Sequence, residues 1–402
     1  MSELHSVTLL VIVAIGVLAP LLSEIPIGLR LPVVVLEILL GIVIGPEVLG
    51  WVKPEGTVAA LGELGLTMLF FMAGMELDLQ AIRGRPATLA AAGWAITIVI
   101  AALAVLLLYS LDLVRAPLLV GVALTTTAIG TLLPVLRDSG ELETEFGRYI
   151  MAAGAVGEFG PILVVSLLIT REHGIHIAAG LILLFLLIVV AIGWAGLRKR
   201  PPKLLALVER TFEASSQLPV RAAMLLLIAL VVLAGRFGLD FILGGFAAGM
   251  LVRLMTQGSG SRLLQSKMDA IGFGFLIPIF FVLTGVELDV RVLLSDPNTL
   301  LRIPLFLGLM LLARGLPTLL YRRELGVRDR LSLAFYSATG LPLLVAITEI
   351  GIRSGVMLPE NAVALVGAGM LSVLLFPICA GLLRRGAGQS ANRVRSDGPE
   401  AL

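Results

Sequence analysis

Cysteine is nearly absent: Cys379 is the only one, which excludes an intrachain disulfide, a CxxC redox pair and a thiolate metal cage. Its expected role is a small apolar filler in the last span. Histidine is almost as scarce. His173 and His176 have a ligand-like spacing, but they fall in a short loop with no third ligand nearby, so no metal site is expected there. Charge is the third shortage, at 14% of 402 residues against about 25% in soluble domains. The 30 basic and 28 acidic side chains leave a formal net charge of +2 and fall in short clusters, not in a block able to meet nucleic acid. A nucleophile–base pair, a phosphate loop and a metal cluster are all missing, which removes the enzyme reading and leaves no motif for a cofactor.

What is present is apolar surface. Hydrophobic residues make up 58% of the chain and mean hydropathy is +1.03, more than a soluble core can hide. Runs of about 17–25 apolar residues, the length a helix needs to cross hydrocarbon, lie near 5–22, 32–50, 58–78, 87–110, 116–136, 146–170, 176–197, 217–235, 238–254, 267–288, 299–321, 330–353 and 358–383. These thirteen runs predict an all-α polytopic membrane protein. The first run has no basic residue before it and no small-residue cleavage pattern, so it reads as a retained span. Assigning the connections alternately places 22 of the 30 basic residues on one side and 7 on the other, with Arg314 left inside a span. Basic loops stay in the cytoplasm, so the N-terminus is expected outside and the C-terminus inside.

The segment 198–216, RKRPPKLLALVERTFEASS, is the longest polar interruption and reads as a cytoplasmic linker between a first membrane half, 1–197, and a second, 217–385. The Gly/Ser-rich stretch 386–402 reads as a disordered tail. The halves share a pattern: Gly74-Met75-Glu76-Leu77-Asp78 returns as Gly285-Val286-Glu287-Leu288-Asp289 at an offset of 211 residues, each preceded by a Phe-Phe pair. The charge topology gives the two copies opposite orientations. The same offset sets Thr126 and Thr127 over Ser337 and Ala338. Inverted repeats are the signature of alternating-access transporters.

LTTTAIGTLLPVL and YSATGLPLLVA each place hydroxyls, a glycine and a proline in mid-membrane, including Ser337, Thr339 and Gly340. Matching positions in the two halves predict broken helices whose freed carbonyls and half-helix ends can hold ions. Between them Glu158 is the only ionisable residue in about twenty, and a carboxylate there, costly by roughly 2.5 kcal/mol or more, usually carries protons or ions. Ionised, Glu158 offers two oxygens to a hard cation; protonated, it is neutral. Competition between the two is the minimal machinery of antiport. Gly154, Gly157 and Gly160 let another helix or a hydrated ion come close. Arg314 needs an anion, and Glu158 is the candidate when no cation is bound. Glu37 is a further intramembrane carboxylate, read as a packing group with a proton relay as the alternative. Glu349 lies close enough to the second break to be a minor relay candidate.

These features resemble the cation:proton antiporter-2 family of sodium/proton and Kef-type potassium/proton exchangers, over residues about 5 to 385 and most visibly in GLRLPVVVLEILLGIVIGPEVLGW and FFxxxGxELD. The resemblance implies thirteen helices, two crossed broken helices, a homodimer and a bacterial inner-membrane location. It also implies an ion and proton site at Glu158 with Thr126 and Thr127, and places Arg314 at the family's basic position, usually Lys. Gly157 departs from the pattern, standing where an Asp, Asn or Gln precedes the acidic residue, and Glu158 is longer than the usual Asp. One carboxylate makes electroneutral exchange of Na+ or K+ for protons the simpler expectation. The rivals are a sodium-coupled symporter of a small organic anion and a non-transporting sensor.

Overall fold

In hydrocarbon every backbone N–H and C=O must find a partner within the protein, so long apolar runs become helices. The computed structural model describes residues 3–25, 32–76, 83–169, 175–198, 216–256, 259–289, 291 and 297–396. Among them eight helical segments are long and apolar enough to cross a membrane: Thr57–Glu76, Arg85–Ser110, Glu145–Leu168, Leu218–Arg236, Arg262–Glu287, Thr299–Arg323, Val327–Arg353 and Pro359–Arg384. Five shorter apolar segments, Val7–Ser23, Val33–Ile44, Pro117–Leu132, Ala179–Trp194 and Phe241–Met255, bring the total to the thirteen expected. Asp78, His173 and all but the ends of the expected linker lie outside the described residues.

The helices run α1 (Glu3–Ser23), α2 (Val33–Ile44), α3 (Thr57–Glu76), α4 (Arg85–Ser110), α5 (Pro117–Leu124), α6 (Ile129–Asp138), α7 (Glu145–Ile169), α8 (Ile175–Arg198), α9 (Leu218–Arg236) and α10 (Phe241–Met255). They continue with α11 (Ser259–Ile271), α12 (Ile277–Glu287), α13 (Pro297–Gly315), α14 (Val327–Ala338), α15 (Pro342–Arg353) and α16 (Pro359–Ser396). A π turn, Gly272–Leu276, joins α11 to α12 just before Pro278, whose missing N–H forbids an ordinary helical bond there. A 3₁₀ helix, Leu316–Arg323, follows α13 at Pro317. The last helix is continuous to Ser396, into the segment expected to be disordered; after Pro377 no proline interrupts the chain until Pro399.

Two compact units form, and each draws on both halves of the sequence. One comprises Met1–Leu79 and Ile162–Leu288, the other Gln80–Pro161 and Asp289–Leu402. In the first unit the repeated segments pack crosswise, α3 against α10 and α2 against α12. At these crossings backbone meets backbone. A Cβ on Gly74 would strike the Phe246 carbonyl and one on Gly249 the Phe71 carbonyl; one on Gly41 would strike Val282 O and one on Gly285 Ile38 O. The glycines of the two GxELD copies therefore do the same job, each letting its helix lie against the second helix of the other half. Between apolar helices in lipid, such close dispersion contact drives association in place of water exclusion. Glu37, 3% exposed, belongs to this unit.

The second unit has its own core, in which Leu132, Phe146, Tyr149, Tyr321, Leu333 and Tyr336 are buried together, with Tyr149 edge-on to Tyr321 at 5.7 Å. Arg384 of α16 lies over the Phe146 ring at 3.9 Å. It also bonds both carboxylate oxygens of Glu141 and, at 2.7 Å, Asp329, fastening α16 to α14 and to the turn before α7.

Candidate ion site at the crossing of two broken helices

Hydroxyls end α5. Thr125 Oγ1 donates to Val122 O and Thr126 Oγ1 to Ala123 O, each at 2.8 Å, occupying carbonyls of the last turn. The chain is then non-helical until Ile129 opens α6. In the second half α14 stops at Ala338, Thr339 Oγ1 donates to Phe335 O at 3.1 Å, and α15 restarts with Pro342 at its first position, where a missing N–H does no harm.

The two breaks meet and satisfy one another. Ala128 N donates to Thr339 O at 2.8 Å, and Thr127 Oγ1 donates to Ser337 O at 2.5 Å. Gly340 lies against Thr126, where an added Cβ would come within 2.9 Å of Oγ1. A third strand of backbone comes from α7. Pro161 has no N–H, so the Gly157 carbonyl four residues earlier has lost its helical donor; Thr127 N supplies one at 2.9 Å. A proline on one helix thus creates the acceptor that holds the break of another.

Arg314 lies beside this junction, 5% exposed. Its Nε donates to Ser337 O at 3.1 Å, and its Nη2 donates to Thr127 Oγ1 at 2.6 Å and to Ala153 O at 3.0 Å. Thr127 Oγ1 accepts from the guanidinium while donating to Ser337 O, which fixes the direction of both bonds. Ser337 belongs to the last turn of a half-helix, where the macrodipole is negative, so a cation there is favoured. Arg314 has its place because Gly157 lacks a side chain: a Cβ at 157 would lie 2.6 Å from Thr127 Oγ1 and against the guanidinium.

Glu158, the next residue along α7, is 6% exposed. Of the residues singled out from sequence, Thr126, Thr127, Arg314, Ser337, Thr339 and Gly340 converge here, with Glu158 one position from the bonded Gly157. Gly154 and Gly160 are filled by protein, facing Ile129 and Trp94 respectively. Glu349 pairs with Arg353 at 2.8 Å, one helical turn away along α15; Glu37 is in the other unit. Sequence reasoning missed Ser372, fully buried on α16, whose Oγ accepts from Gly340 N at 3.1 Å and donates to Gly369 O at 2.7 Å. The signal was a lone serine among the small residues of VGAGMLSVLL.

Residues 9–383 match the family described as sodium/hydrogen exchanger, transmembrane. The chain belongs to that family. The chain is 29% identical to YjbQ of Bacillus subtilis, over 94% of its own length and 63% of that protein, so it spans less than two thirds of that relative's length. It is 27% identical to the Na+/H+-K+ antiporter GerN of Bacillus cereus, over 67% of this chain and 68% of GerN. The Na+/H+ antiporter of Enterococcus hirae is 26% identical, over 68% of this chain and 73% of its own length. The sodium proton antiporter MjNhaP1 of Methanocaldococcus jannaschii shares this chain's fold, with a TM-score of 0.61 at 19% identity over 95% of this chain and 98% of that one.

Proposed function

We propose that this exchanger trades a monovalent cation, Na+ or K+, for protons by alternating access, with Glu158 as the group for which cation and proton compete. The observation that carries the reading is a buried carboxylate one residue from Gly157, whose carbonyl is tied to the crossing of two broken helices. An ionised Glu158 offers two oxygens to a hard cation, and hydroxyls and unwound carbonyls are the neutral oxygens that can complete a shell. Protonation removes the charge and releases the cation. Arg314 stays charged at the end of α14 throughout, so one cation exchanges for one proton at constant local charge. A pairing of Glu158 with Arg314 when no cation is bound belongs to the same proposal.

The names carried by the Bacillus cereus and Enterococcus hirae relatives support exchange of Na+ or K+ for protons. The charge distribution supports a bacterial inner-membrane protein with its N-terminus outside and its C-terminus in the cytoplasm. We also propose a homodimer, which native mass spectrometry of the purified protein checks.

Reconstitution in liposomes with an internal pH dye, under an imposed proton gradient, tests the exchange. Addition of Na+ or K+ is expected to change the internal pH with the wild type and not with Glu158→Gln. An unchanged response in the variant removes Glu158 from the mechanism, and no response of the wild type to either ion removes the exchange itself.

A further inference from the structure

In the second unit a groove of about 640 Å³ runs between α4 and the 3₁₀ helix Leu316–Arg323. The breaks, Glu158 and Arg314 do not line it. Its character changes along its length for a geometric reason. A 3₁₀ helix has three residues per turn, so side chains at i and i+3 stack in rows. Leu316, Leu319 and Arg322 form one row; Pro317, Leu320 and Arg323 form the next. Both read apolar, apolar, arginine.

The facing helix repeats the sequence of chemistries. Arg85 opens α4 at the basic end of the groove, whereas Ile96 and Ile100 line it about 16 and 22 Å further along the axis at 1.5 Å per residue. That is the depth of one hydrocarbon leaflet, about 15 Å, and a little more. Arg322 and Arg323 are exposed. Arg85 is 58% exposed and donates to Glu324 at 2.8 Å, so this one carboxylate leaves the three guanidinium groups with a net positive charge. Leu316 and Leu319 remain 48% and 60% exposed.

We propose that this groove binds an anionic phospholipid, with its phosphodiester held by Arg85, Arg322 and Arg323 and an acyl chain along Leu316, Leu319, Ile96 and Ile100. The charge complementarity is what selects the occupant. A zwitterionic lipid brings its own cation to the same place, and a free phosphate leaves the apolar floor uncovered. Guanidinium groups match phosphate oxygens in geometry as well as charge, and basic pockets between membrane helices hold anionic head groups in this way. The assignment is independent of the exchange reaction.

Native mass spectrometry of the full chain, released from micelles containing equal phosphatidylglycerol and phosphatidylcholine of the same acyl composition, tests it. The wild type is expected to retain phosphatidylglycerol preferentially. Arg322→Ala with Arg323→Ala is expected to weaken that retention roughly thirtyfold, at about tenfold per 1.4 kcal/mol for two arginines near an anionic head group. Leu319→Trp, which fills the groove without changing its charge, is expected to lose the lipid too, and Arg262→Ala in the other unit is expected to retain it. Melting temperatures of the variants separate lost binding from lost folding. Equal retention of both lipids by the wild type, equal loss in the Arg262 variant, or displacement of the lipid by millimolar inorganic phosphate overturns the proposal.

Discussion

Replacing Gly157 by alanine adds one methyl group where the candidate site is already filled by Thr127 and Arg314. The new Cβ would stand 2.6 Å from Thr127 Oγ1, where ordinary contact is 3.4–4 Å, and would also meet the Arg314 guanidinium. Something must therefore move by about an ångström. Overpacking of this kind costs about 1–3 kcal/mol. If Arg314 gives way, its Nη2 bonds to Thr127 and Ala153 weaken as well, and bonds from a charged donor are worth about 1.5–3 kcal/mol each. We expect a loss of about 3 kcal/mol in stability. Gly308→Ala is the matched control: it adds the same atoms to a helix of the same unit, where nothing lies within 4 Å. There the better helix propensity of alanine is expected to leave stability unchanged or raise it by up to about 1 kcal/mol. Thermal unfolding of the purified protein, followed by tryptophan fluorescence, ranks the two against wild type. If Gly157→Ala melts with the wild type, or if both variants fall together, the seat assigned to Arg314 is wrong.

Gly285→Ala is expected to destabilise at least as strongly as Gly157→Ala, because its Cβ meets backbone of α2 that no rotamer change can move aside; a melting temperature equal to wild type would contradict the close crossing. Asp240, in the turn between α9 and α10, accepts a bond from Ile242 N at 2.9 Å, and burial pushes its carboxyl up to about 6. Since an unfolded Asp titrates near 3.9, the folded chain binds the extra proton between these values. Stability is then expected to fall as pH rises from about 4 to about 6 and to level off above. Melting temperatures across that window should show the slope in the wild type and a flatter profile in Asp240→Asn; equal slopes would refute the assignment.

The spans were legible because hydrocarbon demands long apolar helices, and hydropathy records that demand directly. The breaks were legible because Thr, Gly and Pro at mid-span conflict with an unbroken helix in both LTTTAIG and YSATGLP. The bonding of Arg314 was not. The sequence supplied a buried cation and a buried carboxylate, which made their pairing the economical expectation, but it gave no sign of the bonds of Arg314 to a hydroxyl and two carbonyls. Backbone acceptors have no signature in side-chain identity. Pro161 was visible, but that it frees a carbonyl for Thr127 depends on a helix more than thirty residues away. The division into units was equally hidden, because each is assembled from segments of both halves, whereas composition reports only neighbours along the chain.

The crosswise packing of the first unit also sets an order of events during synthesis. Gly41 of α2 rests on Val282 of α12, so α2 enters the membrane long before its partner exists. At about 5–20 residues per second, the intervening chain takes on the order of 10–50 s to emerge. Through that interval α2, with Glu37 on it, must be held by lipid, by the insertion machinery or by temporary neighbours. Until α12 arrives, the partially made protein presents to the cell's quality control an acidic membrane helix without its final contacts.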